Sequence, residues 1–332
     1  MSDAMDDLLP QGNRLQILSP EEYELLWGLP RFTISDRQLF FALTPREQGY
    51  YERLRTLRTK LHFLLHLGYF KARQRFYVIN FDVMSEDVEY LSKLYLDGTR
   101  MPDLNVSKHT RRLHMSWILE LFGFRQIDQA ERLSLEERAL KAARISSRPV
   151  YVLRDLVDRL RQQRIVLPGY TYLQDVVRRA LLFERDRLSD ALSTFMTRED
   201  KRVLGHLLSD DDGLHAVTSI KHHPRDFSHQ QLLAEIDRGQ QLRELYVVAQ
   251  RIITHAKLSV ESVRFYASLV DYYTVYKLKR MNRLMARLYL LCFVQDRYQR
   301  LNDHLISAFC VLVRRYTDET KRYIVPDTCF SP

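Results

Sequence analysis

Long apolar runs are missing from this chain of 332 residues. No stretch approaches the ~20 consecutive apolar residues that a membrane-spanning helix needs. Cysteine is scarce: Cys292, Cys310 and Cys329 are odd in number and form no CxxC pair. That excludes a disulfide framework and points to an intracellular, cytoplasmic protein. The start, Met1 to Leu9, carries Asp3, Asp6 and Asp7, which fits neither a signal peptide nor a transit peptide. There is no GxGxxG, no Walker loop and no HExxH, so neither a phosphate cradle nor a zinc-hydrolase motif is indicated. Glycine and proline number ten each, and between Pro224 and Pro326 there is one glycine, Gly239, and no proline. So few breakers, without alternating strand patterns, predict an all-α chain.

Helix starts are written in several places. Ser19-Pro20-Glu21-Glu22 and Thr44-Pro45-Arg46-Glu47 each combine a capping hydroxyl, a first-turn proline and a glutamate that reaches back. The second opens a predicted helix over 45–66, with Gly68 as its stop. Ser85, Ser107 and Ser134 are expected to open further helices, and Thr171 to cap another. Leu113, Trp117, Ile118 and Leu121 form the expected inner face of the helix begun by Ser107. Gly98 to Asp103 and Asp210 to Gly213 read as linkers. From Leu284 through Leu288, Leu291, Tyr298, Leu305, Phe309 and Leu312 to Tyr316, apolar residues recur at helical spacing. This predicts one or two long helices whose stripe is buried within the chain or forms a dimerisation seam.

Candidate chemistry is thin. His62 and His66 lie four apart on one predicted helix face, a spacing that suits zinc, but no acid or cysteine is placed to complete a site. His222 and His223 are adjacent beside Pro224 and read as a solvated loop. No catalytic residue, metal site, cofactor or small-molecule substrate is expected.

Cations are plentiful instead. Lys and Arg number 51 against 42 Asp and Glu, a net charge of +9, which suits a polyanion such as nucleic acid. One cluster is Arg53, Arg55, Arg58 and Lys60, continued by Lys71, Arg73 and Arg75. Another is Lys108, Arg111 and Arg112 with His109, at a predicted helix start where free N–H groups favour phosphate. A third is a helix-turn-helix pattern: a helix over 150–163, a turn over 164–170 and a helix from 171. Gln174 and Arg178 are expected on its exposed face as base readers, with Arg179 beside them and Tyr170, Thr171 and Tyr172 at the entry. A fourth is Lys277, Lys279 and Arg280 with Arg283 and Arg287, preceded by Tyr272, Tyr273 and Tyr276. Each set has an ordinary alternative, a solvated helix face or a packed helical corner.

Several separated motifs carry a resemblance. Leu18-Ser-Pro-Glu-Glu with Gly28-Leu-Pro-Arg-Phe-Thr33, then Leu67-Gly-Tyr-Phe-Lys-Ala-Arg-Gln-Arg-Phe76, Gln163-Arg-Ile-Val-Leu-Pro-Gly-Tyr170 and Tyr272-Tyr-Thr-Val-Tyr-Lys-Leu-Lys-Arg280 stand in order. Together, from about Leu15 to about Lys321, they resemble the N-terminal region of replicative transposases of the Tn-three (class II) family. The resemblance implies helical domains that bind the terminal inverted repeats of a transposon. It also implies a metal-dependent nuclease domain beyond the matched region, so no catalytic residue is carried over. Ile324 to Pro332 does not look like the family's continuation, which a truncated or frameshifted gene would explain.

The sequence therefore predicts a multi-domain helical array with helix-turn-helix-like DNA-binding domains and long C-terminal helices. Its expected parts are a disordered tail over 1–14, a first DNA-binding domain over 15–100 and a second over 101–210. A long-helix domain over 211–323 and an off-family tail over 324–332 follow. The expected partner is double-stranded DNA at transposon ends, with full-length transposase or a second copy as possible protein partners and no membrane. The alternative reading is a helical scaffold that binds full-length transposase, or a relic without function.

Overall fold

The computed structural model describes residues 15–80, 82–99, 105–211, 214–221 and 229–324. The predicted tail over 1–14, all of the predicted tail over 324–332 except residue 324, most of the linker before Asn105, and His222 to Pro224 lie outside the described residues. The fold class is all-α as expected. The described residues hold fifteen helices and one antiparallel pairing of two-residue strands, Asp210 with His215 and Asp211 with Leu214.

Contacts divide the described residues into two compact units, 15–140 with 149–180 and 141–148 with 181–324. The boundaries expected at 100/101 and 210/211 do not coincide with this division. The physical reason at the first is a shared core: Ile118 is buried in one cluster with Leu61, Phe63 and Phe70.

The first unit contains α1 (Pro20–Leu26), α2 (Ile34–Phe41), α3 (Pro45–Glu52), α4 (Leu57–Arg73), α5 (Ser85–Tyr95) and α6 (Lys108–Phe122). It also holds most of α7 (Gln129–Ile145), all of α8 (Pro149–Gln162) and the start of α9 (Tyr170–Phe195). Both expected capping boxes form, Ser19 with Glu22 and Thr44 with Glu47. Thr33 with Asp36 adds a third box.

The helix expected over 45–66 is two helices, broken over 53–56, with Thr56 as the new cap. Gly68 does not stop α4. It lies buried inside the helix, where a Cβ would sit 2.2 Å from the Phe41 ring. The glycine is there for close packing, and the helix runs on to a left-handed cap at Gln74 (φ 54°). Every residue from Leu61 to Phe70 is buried, so α4 is the central rod on which α2, α3, α5 and α6 pack.

Two other expected starts move. α7 begins at Gln129, with the Asp128 carboxylate accepting from the Glu131 N–H at 2.8 Å, so Ser134 lies inside the helix. α9 begins at Tyr170, one residue before the proposed Thr171 cap. In α6, Ile118 is buried as expected while Leu113 is exposed.

The second unit contains α10 (Arg198–His206), β1 (Asp210–Asp211), β2 (Leu214–His215), α11 (Ala216–Lys221), α12 (His229–Ala256), α13 (Val260–Tyr272), α14 (Val275–Arg280) and α15 (Arg283–Ile324). The single 42-residue α15 spans ~60 Å at 1.5 Å per residue. It packs on α12 and α13, and from Leu288 to Val294 every residue is buried. Tyr298 stacks on Tyr246 with centroids 4.3 Å apart, and Tyr289 on Tyr266 at 5.2 Å. Arg297 is buried, donating to the Ile220 carbonyl at 3.0 Å and pairing with Glu235 at 3.1 Å. Removing one partner would strand a charge in the core.

Candidate nucleic-acid interface

The N-terminal half of α6 is built to be positive. Ser107 caps it, its hydroxyl accepting from the Thr110 N–H at 3.1 Å. The first turn carries no acid, although acids are what the positive end of a helix dipole favours. Lys108, Arg111 and Arg112 stand there instead. Among the described residues none of the three side chains forms a hydrogen bond or an ion pair, and Lys108 and Arg112 are exposed. With Met115, Ser116, Leu119 and Gln126 they line an open groove of about 700 Å³. Cations repelled by their own helix end are relieved when an anion binds.

The opposite side of α6 fixes this face in place. His114 is fully buried, and its Nδ1 lies 3.0 Å from the Nδ1 of His62 on α4. His66 sits behind, ring to ring with His62 at 4.5 Å. Burial, the neighbouring His114 and the Arg111 charge push His62 down to about 3. Burial pushes His114 down to about 4 and His66 well below its ordinary value. All three are neutral at physiological pH. The expected His62–His66 pair thus gains a third histidine, yet among the described residues no group of three or more His, Cys, Asp or Glu is arranged to hold a metal.

The first predicted cluster scatters. Arg53 lies over the Tyr50 ring at 4.6 Å and Lys60 over Tyr51 at 4.8 Å. Arg58 reaches the Asn105 carbonyl at 3.5 Å, which brings the α4 start beside the segment that leads into α6. Arg55 is exposed. Tyr50 packs against Trp117 of α6 at 5.5 Å, so the end of α3, next to Arg53, and α6 belong to one neighbourhood. Lys71 is committed elsewhere, to Glu47 at 2.7 Å and the Ala42 carbonyl at 2.6 Å. Arg75 donates to the Trp27 carbonyl at 3.2 Å, and burial lowers its pKa. Arg73 is half-buried, with its Nε enclosed and unpaired.

The helix-turn-helix set is less exposed than expected. The α9 start is covered by the chain's own N-terminal segment. The Tyr170 hydroxyl accepts from the Ile17 and Leu18 N–H groups at 3.3 and 3.2 Å. Its ring packs on Trp27 and Tyr23 at 5.0 and 5.2 Å. Trp27 donates its indole N–H to the Pro168 carbonyl at 3.0 Å. Gln174 is half-buried and donates to the Leu15 carbonyl at 3.1 Å, so its amide is not presented on an exposed face. Arg178 is half-buried too. Arg179 pairs with Glu136 at 2.8 Å. Tyr172 has a buried hydroxyl and lies under Arg132. Thr171 alone of the entry residues is exposed.

In the second unit, Arg280 stacks on Tyr276 and donates to its hydroxyl at 3.2 Å. Lys279 is exposed, while Lys277 is half-buried near the buried Tyr273 ring. Lys279 and Arg280 form a small exposed basic patch. The groove on α6 was half legible: its cations stood out, but Met115, Ser116, Leu119 and Gln126 carry no signal until the helix is folded.

Residues 17–180 match the model of a protein family described as Domain of unknown function (DUF4158). The matched stretch contains α6, its groove and the histidine cluster.

Proposed function

We propose that this chain binds double-stranded DNA through the N-terminal face of α6, flanked by Arg53, Arg55 and Arg58. The observation that carries this is a groove lined by three cations, Lys108, Arg111 and Arg112, with no partner among the described residues. Four other predicted contacts have partners within the chain: Lys71 with Glu47, Arg179 with Glu136, Gln174 with Leu15 and Arg75 with the Trp27 carbonyl. A charge of +9 supports the same ligand class.

The resemblance of several motifs to those of Tn-three-family transposases supports the finer reading, in which the ligand is the terminal repeat of a transposon. Under it the chain is the DNA-binding part of a transposase, and the Asp and Glu residues of the reaction are supplied elsewhere. Lys108 and Arg112 serve phosphates at the helix start, and Arg111 and Gln126 border the groove that bases would enter. The test is a titration of labelled duplex with the wild type and with Lys108, Arg111 and Arg112 each replaced by Ala. Weaker binding by every variant fits this reading, and unchanged binding by all three removes α6 from the interface.

A further inference from the structure

The second half of α15 leaves the core. Leu301 and Ala308 are its last fully buried residues, and after them the helix has no neighbour among the described residues that covers it. A new apolar stripe begins at that point. Ile306, Phe309, Val313 and Tyr316 expose 62, 67, 46 and 65% of their surface. Their gaps are three, four and three residues, the spacing of a coiled-coil seam. At 100° per residue the stripe lies roughly a quarter turn from the inner face of Leu301, Leu305 and Ala308. It is a second face, not the frayed end of the first.

We propose that this stripe is a self-association seam, on which the α15 of a second copy of this chain packs. The seam alternates β-branched Ile306 and Val313 with aromatic Phe309 and Tyr316, the division of shapes that lets knobs enter holes on an identical helix. It carries no charge, so two copies meet without like-charge repulsion, while Arg314, Arg315 and Asp318 lie off it. The half-buried Leu305 and Leu312 widen it on one side. Covering the exposed parts of these residues on both helices removes roughly 1,000 Å² in total, about what a specific interface requires. The proposal is independent of DNA binding, since it uses no residue of α6.

The test is sedimentation equilibrium of the full chain under reductant, because Cys310 is exposed beside the seam. A mass approaching twice 39.7 kDa at tens of micromolar is expected. Phe309→Glu with Val313→Glu should leave a monomer with unchanged helical circular dichroism. The milder Phe309→Ala with Tyr316→Ala should weaken dimerisation ~tenfold or more. A wild type at the single-chain mass throughout overturns the proposal. So does a Glu double variant that stays folded and dimeric.

Discussion

His62 of α4 and His114 of α6 share one hydrogen bond, Nδ1 to Nδ1 at 3.0 Å, in a buried pocket that also encloses His66. One Nδ1 must carry the proton and the other must be bare, so the bond is lost once both rings are protonated, and burial opposes even the first charge.

Stability should therefore fall in mild acid. The folded values of His62 and His114, about 3 and about 4, lie below the 6.5 of a free imidazole. The stabilisation is complete above pH ~6.5, where neither state binds the protons. Below it the unfolded chain takes up protons that the folded chain refuses, and stability declines until pH ~3–4. The expected loss is on the order of 3–5 kcal/mol, less than the two shifts would sum to because the pair titrates together. Urea denaturation as a function of pH measures it. His114→Phe should flatten the profile, and an unchanged slope in that variant would assign the acid sensitivity to other groups.

Gly68→Ala should destabilise the chain by ~1–3 kcal/mol, although alanine favours helix. The added methyl meets the Phe41 ring at 2.2 Å. Pairing it with Phe41→Leu should recover part of the loss in thermal denaturation. A neutral or stabilising Gly68→Ala would mean that α2 yields easily.

Tyr170→Phe should cost ~1–3 kcal/mol of stability, because two backbone N–H groups, of Ile17 and Leu18, lose their acceptor. Its DNA affinity should stay near wild type once folded. A large, sequence-dependent loss of affinity in Tyr170→Phe or Gln174→Ala would return base reading to α9.

The sequence was read well where the signal is local. Ser19, Thr44 and Ser107 cap helices because a hydroxyl oxygen and the N–H that donates to it are three residues apart. The breaker scarcity correctly announced an all-α chain. Reading failed where the partner is distant in sequence. Gly68 looks like a stop until Phe41 is brought against it. Gln174 looks solvated until Leu15, over 150 residues earlier, lies on it. Arg179 looks free until Glu136 appears. The same limit hid the third histidine, since His114 is 52 residues from His62.

DNA binding should weaken steeply with salt. Contacts to ~6–10 phosphates imply a loss of about 10³–10⁵ in affinity between roughly 50 and 200 mM salt. Removing Lys108 and Arg112 together should shallow the slope of log K against log salt by about 2. Fluorescence anisotropy across a salt series reads both quantities, and a flat dependence would count against phosphate contacts.

The most direct test of the central claim is a paired titration of Arg111→Ala against a transposon terminal-repeat duplex and a scrambled duplex of equal length. If α6 is the DNA-reading helix, affinity for the repeat falls by ~1–3 kcal/mol and affinity for the scrambled duplex changes little. Equal losses on both would make Arg111 a backbone contact. Wild-type affinity on both, in a variant that keeps its helical circular dichroism, would contradict the assignment of α6 as the interface.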